Sequence, residues 1–384
     1  MNREKEFSFY EFFAGGGMAR AGLGTDWHCV FANDFDSKKA ESYTRNWDAD
    51  HLQVKDVRKL DVTELPDEAD LAWASFPCQD LSLAGNGRGL KSERSGSFWP
   101  FWKLMQGLER EKRNPKIILL ENVYGALTSH GGKDFSALCS ALLEIGYSVG
   151  AVIIDAAYFV PQSRIRLFII AVRTDLVVPV QLLDNGPNPL WHPKAVLKAG
   201  QQLNKKVIDQ WLWWNVPEPP SRKLNFIDVI EEEPSGVMWK SDSYTKNLLN
   251  MMSEVNRKKV AQAQSAGYRM VGGVYRRTRN GEQRAEVRFD NVSGCLRTPS
   301  GGSSRQLLLV VEGKHVRSRL LSPREAARLM GLDDSYILPD NYNAAYHLAG
   351  DGVVVPVVAH LSKHLLTPML RMLRTNKKKH KQVA

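Results

Sequence analysis

Over its first 175 residues the chain alternates short apolar runs with stretches of helical spacing. Residues 6–13 form an apolar run that breaks into Ala14, Gly15, Gly16 and Gly17. Residues 18–23 then open a helical pattern, so this segment predicts strand, glycine turn, helix. Residues 29–34 predict a second strand closing on an acid, and residues 37–47 a helix. Further strands are predicted at 54–56, 71–75, 117–122, 149–155 and 167–172. Strands alternating with helices predict an α/β fold, a doubly wound and mostly parallel sheet with ligands at the carboxyl ends of its strands.

The pattern changes after about residue 178. Tryptophans and prolines cluster at Pro187, Pro189, Trp191 and Pro193, and again at Trp211, Trp213, Trp214, Pro217 and Pro219. The acids Glu231, Glu232 and Glu233 follow, and the segment reads as an inserted, smaller domain. Between 257 and 288 the sign reverses, with Arg257, Lys258, Lys259, Arg269, Arg276, Arg277, Arg279, Arg284 and Arg288 against Glu282 and Glu286. A turn at Asn280 and Gly281 makes this a hairpin, either a nucleic-acid surface or an edge guarded by charge. A glycine-serine loop at 297–306 precedes a strand at 307–311. Ser322, Pro323 and Glu325 then supply cap, first-turn proline and capping-box partner for a helix. Gly350 and Gly352 open a last apolar run at 353–361.

Composition narrows this picture. A length of 384 residues, 43% hydrophobic and 24% charged, suits a globular chain of two domains, or of one large domain with an insertion. Four scattered cysteines give neither a disulfide framework nor a metal site, and a reducing compartment is expected. The charged start fits no signal peptide, and no apolar run approaches the ~18 residues of a membrane helix. The net charge of +10 makes a polyanion a plausible partner, and a basic tail around 374–381 is either part of that surface or a solvated end.

The candidate chemistry sits at predicted strand ends. Pro77 fixes its own φ and keeps Phe76 extended, delivering Cys78 at the end of the run 71–75, as a nucleophile or as a small buried hydrophobe. The glycine turn lets backbone approach a ligand. Asp34, about 20 residues on, could take the hydroxyls of a ribose, Phe35 could stack on an adenine, and Asp56 could accept from its amino group. Each acid could instead cap a helix. Together they describe an adenosine pocket without a phosphate-binding lysine. Glu121 ends an apolar strand, where a raised pKa would make it a proton donor, unless it caps a helix. Alternation places Arg164 and Arg166 on one face, suited to an anion or a carbonyl oxygen, with plain surface charge as the other reading.

With these residues in view, the chain resembles the DNA cytosine-5 methyltransferases, most closely the bacterial restriction-modification members. Phe13 to Gly17 are similar to their S-adenosylmethionine motif, Phe76, Pro77, Cys78 and Gln79 to their nucleophile motif, and Glu121, Asn122 and Val123 to their acid motif. Gln162 to Arg166 resemble their arginine motif, Arg324 to Gly331 their late helix, and Gly350 to Val353 their closing cofactor motif. In that last motif Asp351 and Gly352 stand where the family usually has asparagine and a small residue. The matches cover about the first 175 residues and the last 90, in the family's order.

The resemblance implies that Cys78 attacks carbon 6 of a cytosine flipped out of duplex DNA. Glu121 would protonate or hydrogen-bond ring nitrogen 3, and Arg166, with Arg164 beside it, would hold the carbonyl oxygen. Carbon 5 would take the methyl group of S-adenosylmethionine, leaving S-adenosylhomocysteine, with no metal. It implies a cofactor site of Phe13, Ala14, Gly15, Gly16, Gly17, Asp34, Phe35, Asp56, Val57, Pro77, Asp351, Gly352 and Val353. DNA contacts would come from Gln79, Ser82, Arg88, Arg276, Arg277, Arg279, Arg297 and Thr298, and the loop 82–90 would close as a lid. The implied domains are catalytic (1–180), target-recognition (181–318) facing it across a DNA cleft, hinge and late helix (319–345), and return to the catalytic domain with a basic tail (346–384). A cytoplasmic monomer without membrane association is expected. Its genetic partner would be a restriction endonuclease from which it protects host DNA. The competing classes are a DNA-binding regulator without turnover and an RNA methyltransferase of the same chemistry.

Overall fold

The computed structural model describes residues 6–77, 96–279, 281–297 and 305–383. The chain forms two compact units, one of Met1–Ile154, Ile165–Glu218 and Val357–Ala384, the other of Asp155–Arg164 and Pro219–Pro356.

Seven strands organise the first unit. They are β1 (Phe7–Phe12), β2 (Trp27–Asp34), β3 (Leu52–Val54), β4 (Leu71–Ala74), β5 (Ile117–Val123), β6 (Tyr147–Asp155) and β7 (Ile165–Arg173), in the spatial order β3-β2-β1-β4-β5-β7-β6. The first five pair in parallel, whereas β7 runs antiparallel to β5. The order reverses between β1 and β4, so the crevice for a ligand falls outside the carboxyl ends of those two strands.

Alternation sorts the side chains of β1 between the faces of the sheet. Tyr10 and Phe12 join Phe31 and Phe101 in a core built largely from the helix Phe98–Arg110. That helix buries Phe98, Trp99, Phe101, Trp102, Leu104, Met105 and Leu108, the three-and-four spacing of an amphipathic helix. Glu11 lies on the opposite side, a buried acid inside a strand that the sequence presents as one apolar run.

Residues 181–218, expected to open the inserted domain, pack in the first unit because they cover the edge of its sheet. Leu212 N–H donates to the Val149 carbonyl at 2.9 Å, and Ile153 N–H donates to the Trp191 carbonyl at 2.8 Å. Both satisfy backbone groups of β6 that would otherwise form a bare edge. Gly150 permits the approach, since a Cβ there would come 2.1 Å from the Leu212 oxygen.

The second unit carries an antiparallel sheet of β8 (Met270–Arg279), β9 (Glu282–Arg288), β10 (Leu307–Glu312) and β11 (His315–Leu320), ordered β11-β10-β8-β9. β8 and β9 pair as the expected hairpin, with Gly281 at φ 80° beside Asn280, which lies outside the described residues. Ser322 caps the helix Pro323–Leu329 and accepts from the Glu325 amide, completing the predicted capping box with Glu325. Glu325 also receives two hydrogen bonds from Arg319, at 2.6 and 2.8 Å, and both side chains are fully buried.

The helical run Tyr342–Thr375 corrects the expectation that no stretch is apolar enough to cross a membrane; by length and composition it is. Of its most apolar window 67% is buried, the pattern of a core helix. Its Ser362 and Thr367 hydroxyls accept from the Trp27 indole at 3.1 and 3.2 Å, tying the run to the amino end of β2.

Candidate active site

Register lines up the strand ends that carry the predicted chemistry. Asn33, Phe12, Ala74 and Leu120 are successive cross-strand partners on β2, β1, β4 and β5. The next residues, Asp34, Phe13, Ser75 and Glu121, therefore emerge on one level. Phe13 and Glu121 stand two strand spacings apart, about 10 Å.

Phe13 adopts φ 58°, a left-handed conformation rare for a large side chain. Gly15 follows at φ +57°, and a Cβ there would meet nothing within 4 Å, so its glycine answers to backbone conformation. Gly17 is glycine for conformation and space together, with φ +76° and the Trp47 indole 2.3 Å from where a Cβ would stand. That indole donates to the Gly16 carbonyl at 3.0 Å. Arg20 lies 5.0 Å over the Trp47 ring and donates to Tyr43 Oη at 3.0 Å, closing the helix Ser37–Asn46 against the turn.

The acids of the expected adenosine pocket are less alike than their spacing suggests. Asp34 is buried and accepts from Gly15 N–H at 2.8 Å and Asp36 N–H at 2.9 Å; burial pushes its carboxyl up. The helix is capped by Asp36, so the capping alternative fails for Asp34. For Asp56 it holds, because this carboxylate accepts from Arg58 N–H, and the Arg58 guanidinium pairs with it at 2.6 Å and draws its pKa down. Phe35 is 71% exposed at the same strand end, presenting a ring on which a base could stack. Val57 is buried under the turn that follows Asp56.

Glu121 is 7% exposed, and its Oε1 lies 3.1 Å from Arg166 Nε. The antiparallel course of β7 makes this pair. Val123 and Arg166 are partners, so Glu121 and Arg166 share a face as diagonal neighbours. A parallel strand would have carried Arg166 to the opposite end of the sheet. Glu121 caps no helix, since Val123 takes the N-cap position of the following turn. Asn122 points away from Glu121 and donates to the Phe76 carbonyl at 3.0 Å, fixing the backbone that leads into Pro77.

Arg164 departs from its expectation. β7 begins at Ile165, so alternation does not reach it, and in the second unit its guanidinium is taken up by backbone carbonyls. It donates to Leu296 at 3.2 Å, Gly350 at 2.9 Å and Gly352 at 2.7 Å. Residues 351–353, expected to close the cofactor site, belong to that unit, with Val353 buried and Asp351 exposed. The expected nucleophile Cys78 lies outside the described residues, as do Gln79, Ser82, Arg88, the loop 82–90 and Thr298.

Of the expected DNA contacts, Arg277 and Arg297 line two cavities of the second unit, about 420 and 700 Å³, and Arg276 lines the larger. Arg279 pairs through its backbone with Glu282 at the hairpin end.

Two residues of this site escaped the sequence reading. Asn122 stands in the sequence only as the middle of a three-residue motif, and Glu11 is the one acid within the apolar run 7–13. Glu11 Oε1 accepts from Arg20 N–H at 3.3 Å, in the first turn of the helix Met18–Leu23, whose N-cap Gly17 has no side chain to offer. Burial pushes this carboxyl up to about 8. A lone charge inside a run of aromatic strand residues was the available signal.

Comparison with known proteins bears on the family and the fold. The chain is 30% identical over 218 residues to the Type II methyltransferase M.BsuFI of Bacillus subtilis, covering 55% of this chain and only 51% of that one. It is 26% identical over 345 residues to the Type II methyltransferase M.Bsp6I of Bacillus sp. (strain RFL6), covering 89% and 92%. The crystal structure of the S. pombe Dnmt2 methyltransferase shares the fold at a TM-score of 0.57 and 19% identity, covering 94% of this chain and 99% of that one. Residues 7–367 match the model of the C-5 cytosine-specific DNA methylases, and the chain belongs to that family as a DNA (cytosine-5-)-methyltransferase.

Proposed function

We propose that this enzyme methylates carbon 5 of a cytosine flipped out of a specific duplex sequence, through a covalent Cys78 adduct. The observation that carries the reading is the Glu121–Arg166 pair at 3.1 Å, level with the glycine turn at the switch point of the sheet. A carboxyl group and a guanidinium so placed match the ring nitrogen 3 and carbonyl oxygen of cytosine, where charge develops as a thiolate adds to carbon 6.

S-adenosylmethionine fits the first unit. Asp34 has the position for the ribose hydroxyls, Phe35 the exposed ring for the adenine, and Phe13 to Gly17 a backbone that a ligand can approach. Once bound, it supplies an electrophilic methyl group. Cys78 adds to carbon 6, Glu121 and Arg166 hold the resulting enamine, carbon 5 takes the methyl group, and loss of the carbon 5 proton lets the thiolate leave. Arg164 acts at a distance, as a positioning residue. Asp56 must be released from Arg58 before it can accept from an adenine amino group. Likeness to Type II methyltransferases supports a role as the modifying half of a restriction-modification pair, acting in the cytoplasm.

Transfer of radiolabelled methyl from S-adenosylmethionine to plasmid DNA tests the reading. Wild type is expected to label DNA, and Cys78→Ser and Glu121→Gln to lower the rate, the former by more than about a thousandfold. Undiminished transfer by Cys78→Ser overturns the mechanism. Preference for transfer RNA over plasmid overturns the substrate.

A further inference from the structure

The hairpin of β8 and β9 has two unlike faces. Tyr275 pairs with Glu286, Arg277 with Arg284 and Gly273 with Arg288, so these side chains share one face. Val274, Ala285 and Val287 point the other way, into the core of the second unit. The first face lines the cavity of about 420 Å³ together with Lys259 and Arg297.

Its charges do not all suit a phosphate backbone. Among the described residues lining that cavity, Glu286 is the one acid. A carboxylate repels phosphates, and beside Arg277 it sets an acceptor into an otherwise basic groove. Arg288 is held in a two-pronged pair with Asp290, at 2.7 and 2.5 Å. Arg277 is bound more loosely, its Nε 3.9 Å from Glu286 Oε2, and the two side chains remain 52% and 37% exposed.

A two-stranded ribbon fits the major groove, where a guanidinium fork matches guanine O6 and N7 and a carboxylate accepts from the cytosine N4 amino group. Diagonal cross-strand neighbours stand about 7 Å apart, the reach of two base steps at about 3.4 Å each. We propose that Arg277 and Glu286 read sequence rather than backbone, Arg277 selecting a guanine and Glu286 a cytosine within two steps of it in the recognition site. The proposal rests on the reading of the chain as a duplex DNA methyltransferase and names its specificity determinants.

The test uses the full chain. Wild type, Arg277→Gln and Glu286→Ala are given S-adenosylmethionine and a randomised duplex library, and methylated cytosines are mapped by conversion sequencing. The same proteins, without cofactor, select bound duplexes from the library. Wild type is expected to demand a guanine and a cytosine within two steps. Arg277→Gln moves the guanine preference towards adenine, and Glu286→Ala cuts discrimination at the cytosine, each by about tenfold or more, with the other positions kept. An unchanged site with uniformly weaker binding and a salt slope lower by about one marks Arg277 as a phosphate contact and overturns the proposal. So does no change in either variant. Unfolding of Glu286→Ala in circular dichroism leaves the guanine-to-adenine switch to decide. A wild type that binds selectively but transfers no methyl defeats the functional reading, while the binding selection still decides on the pair.

Discussion

Glu11 is buried opposite Trp73 of β4, and its burial disfavours the charged carboxylate. Its folded pKa of about 8 lies above the ~4.3 of an unfolded glutamate. Between those values the native state binds a proton that the unfolded state has released, so stability falls as pH rises through that window and levels off above it. Glu11→Gln keeps an acceptor for Arg20 N–H and removes the titration. Urea midpoints should show the variant gaining on wild type by on the order of a few kcal/mol at pH 8.5, and little at pH 4.5. Equal gains at both pH values would show that the carboxyl does not titrate in this window. Glu121 and Arg166 could be singled out from the sequence because their motifs are local, and the structure brings them together at 3.1 Å. The environments of Glu11 and Arg164 could not be read there, since each is set by partners brought in by the fold, whereas Asp56 is held by Arg58 two residues on and takes the capping role its sequence position allowed.

At the scale of elements, the parallel core was legible because its strands are continuous apolar runs between glycine turns and helical spacing. The reversal of β7 was not. An antiparallel strand buried on both faces has the same apolar pattern as a parallel one, and only pairing with β5 shows that Arg166 starts at the ligand end. Residues 181–218 looked like part of an insertion because prolines and tryptophans break the alternation, yet their backbone completes the edge of β6. Arg164 joins three segments of the second unit through the carbonyls of Leu296, Gly350 and Gly352. Arg164→Ala would leave buried carbonyls unpartnered and is expected to cost about 2–4 kcal/mol in chemical denaturation, with Arg164→Lys recovering part of it. Unchanged stability with a selective loss of turnover would return Arg164 to the chemistry.

For the whole molecule, a net charge of +10 pointed to a polyanion, and the fold shows how much of the positive charge is committed internally. Arg319 is buried with Glu325, Arg288 holds Asp290, and Arg173 pairs with Asp175 at 2.7 Å. What remains exposed on the β8–β9 hairpin is a small set of bases with two acids, Glu282 and Glu286, among them, the mixed surface on which the proposed groove reading rests. The catalytic claim is separable from that surface and rests on one thiol acting with Glu121 and Arg166. Its most direct measurement is incubation of the protein with S-adenosylmethionine and duplex DNA carrying 5-fluorocytosine at the target, from which the fluorine cannot leave as a proton would. Intact mass spectrometry should then show a protein–DNA adduct whose DNA has gained a methyl group, attached to the peptide containing Cys78 and absent in Cys78→Ser. Rapid methylation of ordinary duplex DNA with no such adduct on the fluorinated one would contradict the account.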